Sequence, residues 1–201
     1  VSYSVEAYCL KKIKSDSSEQ KLKDVCAAIL NYGAFAQKAL NHNTDNLANR
    51  GLAECGYSTD VPSVEIPVVE AVTSGSTEGI AKKSATLGLE AATVLHFRFK
   101  LDAGMNIDDY TFTCGNQTLV PEFYDTDEED GKSIYQVDMT GIAAKNMNKV
   151  FTVKVTKGGE GDLSVTYSVL TYLYNMQNNN RVGDLCKTMY DYHVKAKAYF
   201  S

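Results

Sequence analysis

Leu22-Lys23-Asp24-Val25-Cys26-Ala27-Ala28-Ile29-Leu30-Asn31-Tyr32 returns near the other end of the chain as Val182-Gly183-Asp184-Leu185-Cys186-Lys187-Thr188-Met189-Tyr190-Asp191-Tyr192. Asp24 matches Asp184, Cys26 matches Cys186 and Tyr32 matches Tyr192 without a gap, and the match continues through Ala36 with Ala196 to Leu40 with Phe200. Upstream, Tyr3-Ser4-Val5-Glu6-Ala7-Tyr8 is matched by Tyr167-Ser168-Val169-Leu170-Thr171-Tyr172, both of the form YSVxxY. Only the connectors differ in length, 15–20 in one copy against 177–180 in the other. A repeat of this kind marks one supersecondary unit used twice. Leu22, Val25, Cys26, Ile29, Gly33, Ala36 and Leu40 recur at the spacing of one helix face, as do Val182, Leu185, Cys186, Met189, His193, Ala196 and Phe200. Ser4 suits the N-cap of a short first helix, and Ser17 or Ser18 that of the longer second one. A hairpin with one apolar stripe cannot bury it alone. The two homologous hairpins are therefore expected to pack as a four-helix bundle with approximate two-fold symmetry.

Between the copies the period changes from helical to two. Leu95, Phe97, Phe99 and Leu101 alternate with His96, Arg98 and Lys100, and Phe151, Val153 and Val155 alternate with Thr152, Lys154 and Thr156. Expected strands are 63–72, 85–90, 93–101, 110–114, 118–124, 134–139, 150–156 and 163–167, separated by turn signals at Gly115-Asn116, Gly131, Gly158-Gly159 and Gly161. The fold class so read is α+β: an antiparallel β-sandwich, immunoglobulin-like or jelly-roll, inserted between two homologous helical hairpins that pack as a four-helix bundle. The domains are 1–48 plus 167–201 for the bundle, 49–63 for a connector and 64–166 for the sandwich. The strand at 163–167 runs straight into the second hairpin, so the two parts are expected to form a rigid unit.

The chain has 201 residues, 44% of them hydrophobic and 22% charged, which excludes disorder, and no apolar run approaches the about 20 residues that cross a bilayer. No membrane insertion is expected. Val1-Ser2-Tyr3-Ser4 carries neither a basic nor an apolar leader region, so a signal peptide is expected to be absent or already removed. A net charge of −5 repels phosphate backbones and argues against a nucleic-acid partner. The five cysteines are odd in number, and no two are spaced as CxxC. Cys9, Cys26 and Cys186 fall on apolar helix positions and are expected to be buried free thiols, whereas Cys55, beside Gly56, is the exposed one.

The chain has no GxGxxG, P-loop, HExxH or GxSxG motif, so the usual phosphate, zinc and esterase sites are missing and no enzyme is expected. Of the three histidines, His42 lies in a polar run after a helix and His193 takes the place of Gly33 in the other copy, a packing role. His96 and Arg98 face outward on a strand and can line a binding face. Tyr110, Phe123, Tyr124 and Tyr135 can furnish a flat ligand surface in a chain with no Trp, and Tyr124, Tyr135, His96 and Arg98 are the candidate ligand-binding residues. In Asp125-Thr126-Asp127-Glu128-Glu129-Asp130-Gly131, the residues Asp125, Asp127 and Glu129 alternate as ligands of a Ca2+ loop do. The EF-hand pattern fails, because Gly131 is one place late and Gln136 stands where the final Glu belongs. A solvated hairpin tip is the simpler reading, and no cofactor is otherwise expected.

Leu-x-x-x-Cys-x-Ala-x-Leu-Asn-Tyr-Gly-Ala-x-Ala-Gln, from Leu22 to Gln37, followed by Asn43-Thr44-Asp45-Asn46-Leu47-Ala48-Asn49, resembles a module of large surface and secreted proteins of anaerobic Gram-positive gut bacteria. Residues 86–90 through 97–99, 110–113, 142–145 and 163–168 are similar to the same module, while Tyr190-Asp191-Tyr192-His193 departs from its NYGA pattern. The resemblance implies an extracellular or cell-surface location and a monomeric module within a longer chain, and it supplies no catalytic residue. Export by an anaerobe also fits an odd number of reduced thiols. The function expected is a non-catalytic binding or adhesion module that recognises a host glycoprotein, immunoglobulin included, or a polysaccharide. The alternative is a rigid structural spacer presenting neighbouring domains.

Overall fold

A computed structural model describes residues 4–89 and 92–201. Tyr3, in the first YSVxxY copy, and Glu90, at the end of an expected strand, lie outside the described residues, as do Val1 and Ser2 of the leader reading. The chain divides into two compact units, one of Val1–Val68, Ala144–Met147 and Leu173–Ser201, the other of Val69–Ala143 and Asn148–Tyr172.

The helices are α1 (Val5–Lys14), α2 (Gln20–Leu40), α3 (Val169–Met176) and α4 (Gly183–Phe200). The helix-rich unit is built on α2, which packs along α1 on one side and along α4 on another. Arg181, just before α4, donates from Nε to the carbonyl of Ala39 near the end of α2 at 3.3 Å, so α2 and α4 run antiparallel. Where they cross, the repeat-equivalent rings of Tyr32 and Tyr192 stack at 5.8 Å with 17° between their planes. Two copies of one helix thus meet through the same residue. Gly33 and His193, also equivalent, each receive a different segment: a Cβ on Gly33 would press on Ala48, and His193 Nδ1 donates to the carbonyl of Ala144 at 2.7 Å. Cys9 and Ile13 of α1 join Cys26, Ala27 and Leu30 of α2 and Leu52 in one apolar cluster. Leu52 belongs to the expected connector, which folds onto the helices.

The sheet-rich unit contains β1 (Val72–Ser74), β2 (Ile80–Leu89), β3 (Thr93–Leu101), β4 (Tyr110–Cys114), β5 (Gln117–Leu119), β6 (Glu122–Thr126), β7 (Ser133–Met139), β8 (Val150–Lys157) and β9 (Glu160–Ser168). They form two antiparallel sheets, ordered β1-β9-β8-β4-β5 and β2-β3-β7-β6. The hairpins β2-β3, β4-β5, β6-β7 and β8-β9 alternate between the sheets. The sheets meet through edge-to-face rings, Phe99 against Phe112 at 5.3 Å and Phe97 against Tyr167 at 6.4 Å.

The expected fold class is corrected. The protein is α+β with two antiparallel sheets, but its helices are not two homologous hairpins packed as a four-helix bundle around an inserted immunoglobulin-like or jelly-roll sandwich. Two helices stand before the sheets and two after, and among the described residues α3 packs along neither α1 nor α4 as an extended pair. The repeat keeps the cap and loses the face. Ser4 accepts the amide of Ala7 at 3.1 Å, and its equivalent Ser168 accepts that of Thr171 at 3.0 Å. Past the cap, however, the buried Cys9 and Ile13 of α1 are replaced by Leu173 and the polar Gln177. Val169, Leu170, Thr171 and Leu173 are all buried, over more of the helix surface than one stripe covers, whereas α1 buries only Cys9 and Ile13.

Smaller corrections have local causes. Pro121 has no N–H and splits the expected strand 118–124 between β5 and β6. Pro62 and Pro67 leave most of 63–72 unpaired, so that regular pairing starts at Val72. Glu19 rather than Ser17 or Ser18 occupies the N-cap of α2, without a side-chain bond.

Tyr32→Ala and Tyr192→Ala are each expected to cost about 2–3 kcal/mol of stability. The double variant should fall short of the sum by about 0.5–1.5 kcal/mol, measured as a double-mutant cycle in urea.

Candidate functional site

The sequence LNYGAFAQ and the following NTDNLAN turn out to be one hydrogen-bonded clamp. Asn41, in the left-handed conformation, ends α2, and the His42 amide bonds back to the carbonyl of Gln37 at 2.8 Å. The Gln37 side chain then donates to the carbonyls of Asn43 and Asn46 at 3.1 and 3.0 Å and accepts the amide of Ala48 at 2.8 Å. Buried Asn49 donates to Asn31 Oδ1 at 2.8 Å, and Asn31 donates to the carbonyl of Ser58 at 3.0 Å. The polar residues of this segment hold a loop to a helix. Beside it, a groove of about 500 Å³ is lined by Asp24, Tyr57, Asp60, Asp191 and Lys195 among others. Burial raises the Asp191 carboxyl above its ordinary value, with Lys195 opposing and Asp24 reinforcing the shift.

Three of the four candidate ligand-binding residues come together on the outer face of the β2-β3-β7-β6 sheet. Leu95, Phe97, Phe99 and Leu101 fill the inner side of β3, which commits His96, Arg98 and Lys100 to the other side. The register places Asp138 opposite His96 and Gln136 opposite Arg98. Arg98 Nε donates to Gln136 Oε1 at 2.8 Å, which fixes the Gln136 amide so that its Nε2 lies 2.9 Å from His96 Nδ1. His96 Nδ1 is also 2.8 Å from Asp138 Oδ1, and since a carboxylate only accepts, the tautomer that makes this bond donates from Nδ1 and has no lone pair there for the Gln136 amide. A bulge between Phe123 and Asp125 aims Tyr124 to this face, where its ring takes the Arg98 guanidinium at 3.8 Å from the centroid. Tyr124 remains 48% exposed, and Val120, Glu122, Gln136 and Asp138 line a depression of about 120 Å³ nearby.

The outward His96 is only 8% exposed, against expectation. Gly88 is the reason: a Cβ there would overlap His96 Nε2, so the absence of a side chain lets the imidazole lie against β2. Tyr135 does not join the site. The register pairs it with Phe99 on the inner side, and its ring meets Phe123 edge-on at 5.9 Å. The sequence reading missed Gln136 and Asp138, although their alternation with the buried Val137 and Met139 carries the signal.

The acidic turn folds on itself. Buried Asp127 accepts the Glu129 amide on Oδ1 at 3.0 Å and two ammonium groups on Oδ2, Lys83 at 2.6 Å and Lys100 at 2.8 Å. Asp125 Oδ1 takes the amide of its neighbour Thr126 at 2.8 Å, and the Glu129 side chain is exposed. Among the described residues no three His, Cys, Asp or Glu side chains are grouped to hold a metal ion. A second bulge, between Lys82 and Ser84 of β2, interrupts the register beside Lys83. A further cleft of about 640 Å³, at the β8-β9 turn, is lined by Glu78, Asp109, Lys157 and Glu160 among others. No helix among the described residues is long and apolar enough to cross a membrane.

Lys100, then Lys83, hold the Asp127 carboxyl well below the usual carboxylate range. A depressed folded-state value stabilises above the unfolded value of about 3.9 and loses that contribution as pH falls towards the folded value. The melting temperature of Asp127→Asn is therefore expected to lie below that of the parent at pH 6, with the gap closing below about pH 4. A pH-independent gap in a thermal-denaturation series would show that the carboxylate charge is not what matters. Comparison with family models, curated proteins and solved structures finds no match to this chain.

Proposed function

We propose that this chain is a non-catalytic glycan-binding module of an exported bacterial surface or secreted protein, taking its sugar from a polysaccharide or a host glycoprotein through the outer face of the β2-β3-β7-β6 sheet. The observation that carries the reading is the row Asp138, His96, Gln136, Arg98 and Tyr124, in which His96 is held by Asp138, and Arg98 by Gln136 and the Tyr124 ring, so that planar polar side chains are fixed beside a half-exposed ring. Sugars are recognised by this combination, because ring C–H groups lie on an aromatic face while hydroxyls exchange hydrogen bonds with amides and carboxylates. Side chains ordered before binding lose little freedom on binding. The depression lined by Glu122 and Asp138 leaves carboxylate acceptors on the same face of the sheet. The resemblance to modules of gut-bacterial surface proteins supports an extracellular setting and a monomeric place in a longer chain. The negative net charge supports a neutral rather than a phosphate-rich ligand. No cofactor enters the reading.

A glycan array probed with the purified chain should give saturable binding. Tyr124→Ala and Gln136→Ala are each expected to weaken it at least tenfold, as loss of about 1.4 kcal/mol does. Tyr135→Phe, on the other face, should leave it unchanged. Binding that survives both outer-face changes would overturn the assignment of the face, and silence across the array would favour a spacer.

A further inference from the structure

Cys9 of α1 and Cys26 of α2 lie in one apolar cluster, each 3% exposed, on two helices packed along each other, and each thiol shifts the titration of the other. The repeat supplies an internal comparison. Cys186 is the equivalent of Cys26, but Leu173 stands where Cys9 does, so the second copy retains one thiol and has lost its partner. The pairing is thus a property of the first copy alone. Cys55, half-buried, packs against the edge of the same cluster.

We propose that Cys9 and Cys26 are a redox-closable pair whose oxidation to a disulfide fastens α1 to α2. With a small-molecule disulfide as oxidant the chemistry balances in two exchanges. One cysteine loses its proton and attacks the oxidant, breaking its S–S bond and releasing one thiolate. The second cysteine, also deprotonated, attacks the protein sulfur of that mixed disulfide and releases the other thiolate. The two protons end on the two leaving thiolates, so two protein thiols are oxidised and one external disulfide is reduced to two thiols.

Access sets the rate. Burial pushes the Cys9 thiol up to about 12 and raises Cys26 as well, so neither reacts readily in place. Opening of α1 exposes both. This 10-residue helix fully buries Cys9 and Ile13, packs Leu10 beside them, and is tied by Glu6 to Arg50 at 3.1 Å. Such an element opens at far lower cost than the whole unit. Oxidation is therefore gated by the detachment of α1, and once closed it holds α1 down.

The full chain incubated with excess oxidised glutathione at pH 8, with and without sub-denaturing urea, then alkylated and mapped by mass spectrometry, tests this. The expected result is loss of two of the five free thiols, a tryptic species joining the Cys9 and Cys26 peptides, and faster closure in urea. Cys9→Ser and Cys26→Ser should each abolish it, and Cys186→Ser should not. Amide exchange in α1 should slow at least tenfold in the oxidised chain. Five alkylatable thiols after prolonged incubation in urea, a linkage through Cys55, or glutathione held on Cys55 alone would each overturn the proposal.

Discussion

The two-residue period of β3 is the constraint on which the site depends. Once Phe97 and Phe99 are fully buried against the rings of Tyr167 and Phe112, the residues between them have one side left to occupy. That side is not simply wet. His96 lies against Gly88, Arg98 over Tyr124, and Lys100 on Asp127, so each outward side chain is held by a neighbouring strand or turn. Cross-strand pairs of this kind are the local unit of sheet stability, and here they also fix the orientation of the groups a ligand would meet. Bulges in β2 and β6 complete the arrangement without altering the core.

The helix-rich unit follows a different logic. Its organising contact is an exchange between copies, Tyr32 on Tyr192, with the equivalent positions Gly33 and His193 adapted to different incoming segments. The repeat was legible in the sequence because helix packing preserves spacing, and α2 and α4 begin and end close to where the periodicity puts them. The bundle was not the outcome. A repeated YSVxxY keeps the local cap, a matter of one serine and one amide, yet packing depends on which residue lies one turn further on. Ile13 in one copy and Gln177 in the other decide that difference, and it follows only from the burial of the folded chain.

A similar division separates what could be read of the site from what could not. Alternation alone placed Arg98 on the outer face, and it also carried Gln136 and Asp138 to anyone following β7. In sequence Tyr135 groups with Tyr124 for its aromatic character, and the register sets it on the other face beside Phe123. The burial of His96 depends on the missing side chain of Gly88, a contact between strands that no single-strand pattern reveals. Asp127 resembles a metal ligand in sequence because carboxylates at alternate positions look alike whether they face a cation in solution or the ammonium groups of Lys83 and Lys100. The NTDNLAN segment, distinctive as a motif, is held through its backbone by the Gln37 side chain and through the Asn49 amide, so its backbone polar groups find partners on α2.

The central claim is that the outer sheet face is ordered in advance and meets the ligand. The most direct measurement is a proton–nitrogen NMR titration that follows the Arg98 Nε–H and the Gln136 side-chain amide while an oligosaccharide retained by the chain is added. The account predicts that the Arg98 Nε–H is protected from water before any sugar is present, and that both signals shift with the sugar. An Arg98 signal that exchanges like a free guanidinium, or shifts confined to the groove beside Asp24 and Asp191, would contradict it.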